Sequence, residues 1–74
     1  MKYLVSSKKA KAVNLAMVTD LSISGNYLML TTNEGREMRF FYGTPAELDR
    51  LFPAVIAFLS SDGVTFDCDE FLSL

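Results

Sequence analysis

The chain has 74 residues, half of them hydrophobic, with seven Lys or Arg against nine Asp or Glu and a formal net charge of −2. A single cysteine excludes an internal disulfide, and the absence of histidine argues against a zinc site and removes the usual base of a serine or cysteine nucleophile. A lone core at this length supplies only about 3–5 kcal/mol, so a chain without staples is expected either to pack unusually well or to self-associate.

The opening carries no visible secretory leader, because Lys2 is followed by only three apolar residues before Ser6-Ser7-Lys8-Lys9. No apolar run approaches the roughly 20 residues that span a bilayer. The expected location is cytoplasmic, with no membrane association. Charge is unevenly spread: Lys2, Lys8, Lys9 and Lys11 crowd the start, whereas Asp62, Asp67, Asp69 and Glu70 lie near the end.

Taken in order, Lys2 to Val5 reads as a short strand, Ser6 to Lys11 as a polar lysine-rich loop, and Ala12 to Leu15 as a return strand. In Val18 to Ser24, Leu21 and Ile23 alternate with Asp20, Ser22 and Ser24, the period of a half-buried strand. Gly25-Asn26 is a two-residue hairpin signal in which glycine supplies the positive φ that a type II′ turn needs first. Tyr27 to Thr32 returns, Asn33-Glu34-Gly35 suits a three-residue loop with Gly35 left-handed, and Arg36 to Tyr42 is the next strand.

The two turns fix a register. With Gly25-Asn26 as a loop, Ile23 faces Leu28 and Leu21 faces Leu30. With Asn33 to Gly35 as the second, Leu30 faces Met38 and Leu28 faces Phe40. Both loops put Leu21, Ile23, Leu28, Leu30, Met38 and Phe40 on one face, which a one-residue slip would scatter. The opposite face carries Ser22, Ser24, Thr31, Glu37 and Arg39, and also groups Tyr27, Met29 and Phe41. An apolar cluster rimmed by polar side chains marks either an interface or a surface covered by another part of the chain.

Thr44 to Leu59 is the one long helical stretch. Thr44 and Glu47 form a capping box and Pro45 occupies the first helical position. Leu48, Leu51, Phe52, Val55 and Leu59 make an apolar stripe. Pro53 removes a backbone hydrogen bond and clashes with the carbonyl of Asp49, so the helix is expected to kink there, or to break and restart. Beyond it, Ala54 to Leu59 is apolar on every side and should be buried all round, under the C-terminal segment or a partner. Asp62-Gly63 then turns the chain. Val64, Phe66 and Cys68 alternate with polar residues in a final strand over Gly63 to Cys68, and Phe71, Leu72 and Leu74 form an apolar end.

No stretch carries recognisable chemistry. Ser7-Lys8-Lys9-Ala10-Lys11 lacks the glycines and following helix of a phosphate-binding loop. Asp67-Cys68-Asp69-Glu70 lacks the ligand series and central glycine of an EF-hand. Cys68, in an alternating apolar position, reads as core. The expectation is a non-enzymatic protein without cofactor or metal.

The opening Lys2-Tyr3-Leu4-Val5-Ser6-Ser7-Lys8-Lys9, followed by Ala12-Val13-Asn14-Leu15 and a Gly-Asn hairpin, resembles small uncharacterised proteins of Gram-positive bacteria and their phages. In those, several short strands precede one helix. The resemblance covers about the first forty residues, implies a bacterial or prophage origin, and implies no defined activity. The apolar, proline-interrupted helix departs from it.

The expected architecture is a single α+β domain. An antiparallel meander of about five or six short strands packs on one helix kinked or broken at Pro53, with a short C-terminal strand. The expected function is a self-associating protein-interaction module, a homodimer or the binder of another protein. If phage-borne, it would regulate or inhibit a host protein. Interface candidates are Tyr27, Met29, Arg39 and Phe41 on the sheet and Val55 and Phe58 on the helix. Two alternatives remain: a nucleic-acid-binding accessory protein using Lys2, Lys8, Lys9 and Lys11, which the negative net charge disfavours, and a small-ligand-binding domain.

Overall fold

The computed structural model describes residues Met1–Leu74 and gives the α+β domain, with six short strands and one principal helix. The strands do not form one meander. They divide into two three-stranded sheets, one built from the first two strands and the last, the other from the three between them.

In the first sheet, β1 (Tyr3–Ser6) and β2 (Lys11–Asn14) are antiparallel, joined by a 3-10 turn over Ser7–Lys9. Ala10 closes that turn in the left-handed region, at φ 53°. On its other side β1 pairs in parallel with β6 (Thr65–Asp67), with Leu4 opposite Phe66. Leu4 is fully buried. A second 3-10 turn, Leu15–Met17, capped by the Asn14 carboxamide oxygen accepting from the Ala16 N–H at 2.9 Å, leads to the second sheet.

That sheet is the expected meander: β3 (Val18–Ser24), β4 (Tyr27–Thr32) and β5 (Glu37–Tyr42). The first hairpin has the expected register, Ser24 opposite Tyr27, Ile23 opposite Leu28 and Leu21 opposite Leu30. Gly25 has φ +59° while Asn26 is not left-handed, as a type II′ turn requires. The second hairpin begins as expected, with Leu30 opposite Met38, but its register shifts between Met29 and Leu28. Leu28 therefore faces Phe41, not Phe40, and Tyr27 faces Tyr42. A bulge sets two residues against one and breaks the in–out alternation, so Phe40 and Phe41 are both buried.

The principal helix, α1 (Pro45–Leu59), opens with the capping box. Thr44 Oγ1 accepts from the Glu47 N–H at 3.2 Å, and Glu47 Oε1 accepts from the Thr44 N–H at 2.9 Å. It runs through Pro53 without breaking into two helices. Leu48, Leu51 and Val55 are buried and join Leu4, Leu28, Leu30, Phe40, Phe41 and Cys68 in the core. Full burial of each such aliphatic side chain contributes about 1.5–3 kcal/mol.

The far side of the helix is not enclosed. Ile56 and Leu59 remain 43% and 40% exposed, so the expectation of all-round burial beyond Pro53 fails. One sheet covers one face of a helix, and the C-terminal segment packs on another, where Phe66 meets Phe58 and Phe71 lies under Arg50, without reaching Ile56 and Leu59. The last strand is also shorter than expected. It ends at Asp67, whose carboxylate caps a second helix, α2 (Cys68–Leu72), by accepting from the Asp69 and Glu70 N–H groups at 3.0 and 3.5 Å. Cys68 is buried as the first residue of that helix, while Val64 is 59% exposed.

Candidate interaction surfaces

The bulge in β5 rearranges the sheet face that the sequence nominates. Phe41 turns into the core, and Tyr42 takes its place beside Tyr27. The two tyrosine rings meet edge to face at 5.2 Å. The Arg39 guanidinium stacks 4.9 Å above the Tyr27 ring, and Met29 lies opposite Arg39 across the strands. The result is a small aromatic and cationic patch of Tyr27, Met29, Arg39 and Tyr42. Three of the six nominated interface residues do not reach the surface, since Phe41, Val55 and Phe58 are all buried. Val55 lies on the stripe that faces the sheet, and Phe58 packs against Phe66 with ring centroids 5.6 Å apart.

A second surface comes from residues that the periodicity assigned to the interior. Ile56 and Leu59 of α1, with Leu15, Val18 and Leu21, line an open groove of about 230 Å³ bordered by Thr19 and Asp20. The groove runs alongside β3, which has a neighbour on one side only. The strand is exposed along most of its length, with only Val18 and Leu21 half-buried, and Ile23 is 41% exposed. The sequence signal for this surface was the apolar run Ala54 to Leu59, which has more apolar sides than one sheet can cover.

Three of the four lysines at the start, Lys2, Lys9 and Lys11, have side chains engaged with the protein itself, whereas Lys8 is held through its backbone N–H. Lys2 Nζ donates to the carbonyls of Ser61 and Gly63, at 2.6 and 2.5 Å, and sits 4.6 Å from the Phe58 ring centroid. It thus holds the turn beyond the C-terminal end of α1, where a cation also complements the helix dipole. Lys9 Nζ lies 4.6 Å from the Phe41 ring centroid and 3.5 Å from the Tyr42 carbonyl oxygen. Lys11 Nζ lies 3.4 Å from the Arg39 carbonyl oxygen. Lys9 and Lys11 therefore occupy carbonyls of β5, beside a groove of about 350 Å³ between β2 and β5 lined by Ala10, Lys11, Ala12, Met38, Arg39 and Phe40.

The acidic residues near the end anchor the lysine-rich turn. Fully buried Ser6 donates its hydroxyl to Asp69 Oδ2 at 2.6 Å, and the same oxygen accepts from the Lys8 N–H at 3.1 Å. Asp67 Oδ1 accepts from the Ser7 N–H at 3.3 Å. Burial pushes the Asp67 carboxyl upward, but hydrogen bonds from Ser7, Glu70 and Asp69 outweigh it and hold the group below its ordinary value of 3.8. Between these carboxylates, the Cys68 thiol is pushed up to about 12, first by burial and then by the charges of Asp69 and Asp67. A thiol so disposed stays protonated and is no nucleophile at neutral pH. The Asp-x-x-Glu spacing of Asp67 and Glu70 was the available signal for the cap of α2; strand-like alternation masked it.

No group of three or more His, Cys, Asp or Glu side chains is placed to hold a metal ion, and no helix is long and apolar enough to cross a membrane. Compared with known proteins, the chain matches no family model, no curated protein and no solved structure.

Proposed function

We propose that the chain is a non-enzymatic protein-interaction module that works as a homodimer. The carrying observation is the unpaired strand β3 beside the groove of Ile56, Leu59, Leu15, Val18 and Leu21. A free strand edge next to apolar side chains is the usual target of strand addition. The non-enzymatic reading is supported by the buried thiol of Cys68, raised to about 12. A lone, buried, unbridged cysteine suits a reducing cytoplasm. A bacterial or phage setting, in which such a module regulates or inhibits a host protein, rests on the resemblance of the opening residues.

The alternatives have less support. Lys2, Lys9 and Lys11 already contact carbonyls of the same chain, which diminishes their use as a phosphate-binding array. Of the two grooves, the helix-side one, about 230 Å³, falls below the roughly 300–1,000 Å³ typical of ligand pockets, and the one between β2 and β5, about 350 Å³, lies only at the low end of that range.

Light-scattering mass across a dilution series, at low and high salt, tests the proposal. The expected result is twice the 8.3 kDa of one chain, insensitive to salt because the contact is apolar and backbone-mediated. A mass of one chain at every concentration would overturn it.

A further inference from the structure

We infer that two copies pair antiparallel through their β3 edges, about a two-fold axis passing through Ser22, to join two three-stranded sheets into one of six strands. The inference rests on the homodimer reading above and specifies its geometry.

The two-residue turn at Gly25-Asn26 makes Ser24 and Tyr27 a pair that exchanges both backbone hydrogen bonds. Alternation along the ladder then turns the backbone groups of Ser24, Ser22 and Asp20 toward β4. Those of Ile23 and Leu21 point to the free edge. A second β3 must therefore pair so that Leu21 and Ile23 meet residues of the same kind, which requires the axis to pass through a residue.

Axes through Asp20, Leu21, Ser22 and Ile23 satisfy that condition, and the strand and its side chains separate them. An axis through Ile23 runs into the hairpin turn, setting Leu21 against Gly25 beyond the end of the ladder. An axis through Asp20 sets Asp20 against its own copy, a like-charge contact directly across the strands. An axis through Leu21 pairs Ile23 with Thr19, at the bulge between Val18 and Asp20 where the register is irregular. The axis through Ser22 uses the regular stretch Asp20 to Ser24 and no more. It sets Asp20 against the Ser24 hydroxyl of the other copy, Ser22 against Ser22, and Leu21 against Ile23. The Leu21–Ile23 pairs carry the new backbone hydrogen bonds. Their side chains lie on the helix side, where they extend the apolar groove toward Ile56 and Leu59 of both copies.

The other edge of the sheet contrasts with this one. Along β5, Lys9 and Lys11 occupy the carbonyls of Tyr42 and Arg39. Charged side chains, lysine above all, are the usual guard against edge pairing. From Val18 to Ser24 there is no lysine, arginine or proline.

Zero-length disulfide trapping tests the geometry in the full chain. Ser22→Cys and Ser24→Cys are each oxidised under dilute conditions, with the mass of the unmodified protein measured in parallel. About the proposed axis the two Ser22 positions are adjacent, whereas the two Ser24 positions stand roughly 13 Å apart along the strands. The expected result is a covalent dimer from Ser22→Cys and none from Ser24→Cys. As a second variant, Ile23→Lys at an exposed position should raise the dimer dissociation constant about tenfold or more while leaving the fold intact by circular dichroism. A dimeric protein in which Ser22→Cys does not cross-link, or in which both cysteines cross-link equally, would overturn the β3 geometry and leave the homodimer standing. A monomer under all conditions would overturn both.

Discussion

Replacing Asp69 with alanine should destabilise the fold more than replacing the serine it binds. Ser6 is fully buried and its hydroxyl donates to Asp69 Oδ2 at 2.6 Å, a short, charge-assisted bond. In Asp69→Ala that hydroxyl stays buried without its acceptor, and the Lys8 N–H loses the same oxygen. A buried donor left unpaired costs about 1–3 kcal/mol, and hydrogen bonds to charged groups contribute about 1.5–3 kcal/mol. The expected loss is about 2–3 kcal/mol, a fall in melting temperature of roughly 4–8 °C for each kcal/mol in a domain of this size. Ser6→Ala removes the donor and leaves a half-buried carboxylate that keeps the Lys8 N–H, so its cost should stay at about 1 kcal/mol. The double variant should fall short of the sum by about 1 kcal/mol. Urea unfolding followed by circular dichroism measures all three. Equal losses for the two single variants, or strict additivity, would refute the assignment of this bond as the anchor between β1 and α2.

Three further outcomes follow from the same geometry. The Asp67 carboxyl is depressed in the folded protein, so the stability it contributes is present above 3.8, its unfolded value, and lost as pH falls through the lower folded value; Asp67→Asn should flatten that acid limb in urea titrations at stepped pH. Cys68 should react with a thiol reagent only at the rate of unfolding at neutral pH. The stability gained from keeping its proton, full below 9.0, should decline as pH rises toward about 12; prompt labelling of the native protein would contradict its burial. Ala10 sits at φ 53°, a conformation that costs a non-glycine residue about 1–2 kcal/mol; Ala10→Gly should add about 0.5–1 kcal/mol after the greater entropy of glycine in the unfolded chain is offset.

Sequence by itself determined what local chemistry controls. The capping box at Thr44 and Glu47, the glycine-led turn at Gly25-Asn26 and the pairing of Leu21 with Leu30 depend on residues close in the chain, and they follow from side-chain alternation and turn geometry. Tertiary structure decided the rest. The bulge that buries Phe41 beside Phe40 answers the core's demand for two adjacent rings, and the run Phe40-Phe41-Tyr42 has no alternation to announce it. The parallel pairing of β6 with β1 joins residues about sixty positions apart, which no local pattern encodes. It also sets the final acids against Ser6, Ser7 and Lys8, a placement that composition could express only as two oppositely charged ends. The exposure of Ile56 and Leu59 has the same origin. Periodicity says that a helix is apolar all round, but only the packed molecule shows which of its faces the sheets reach.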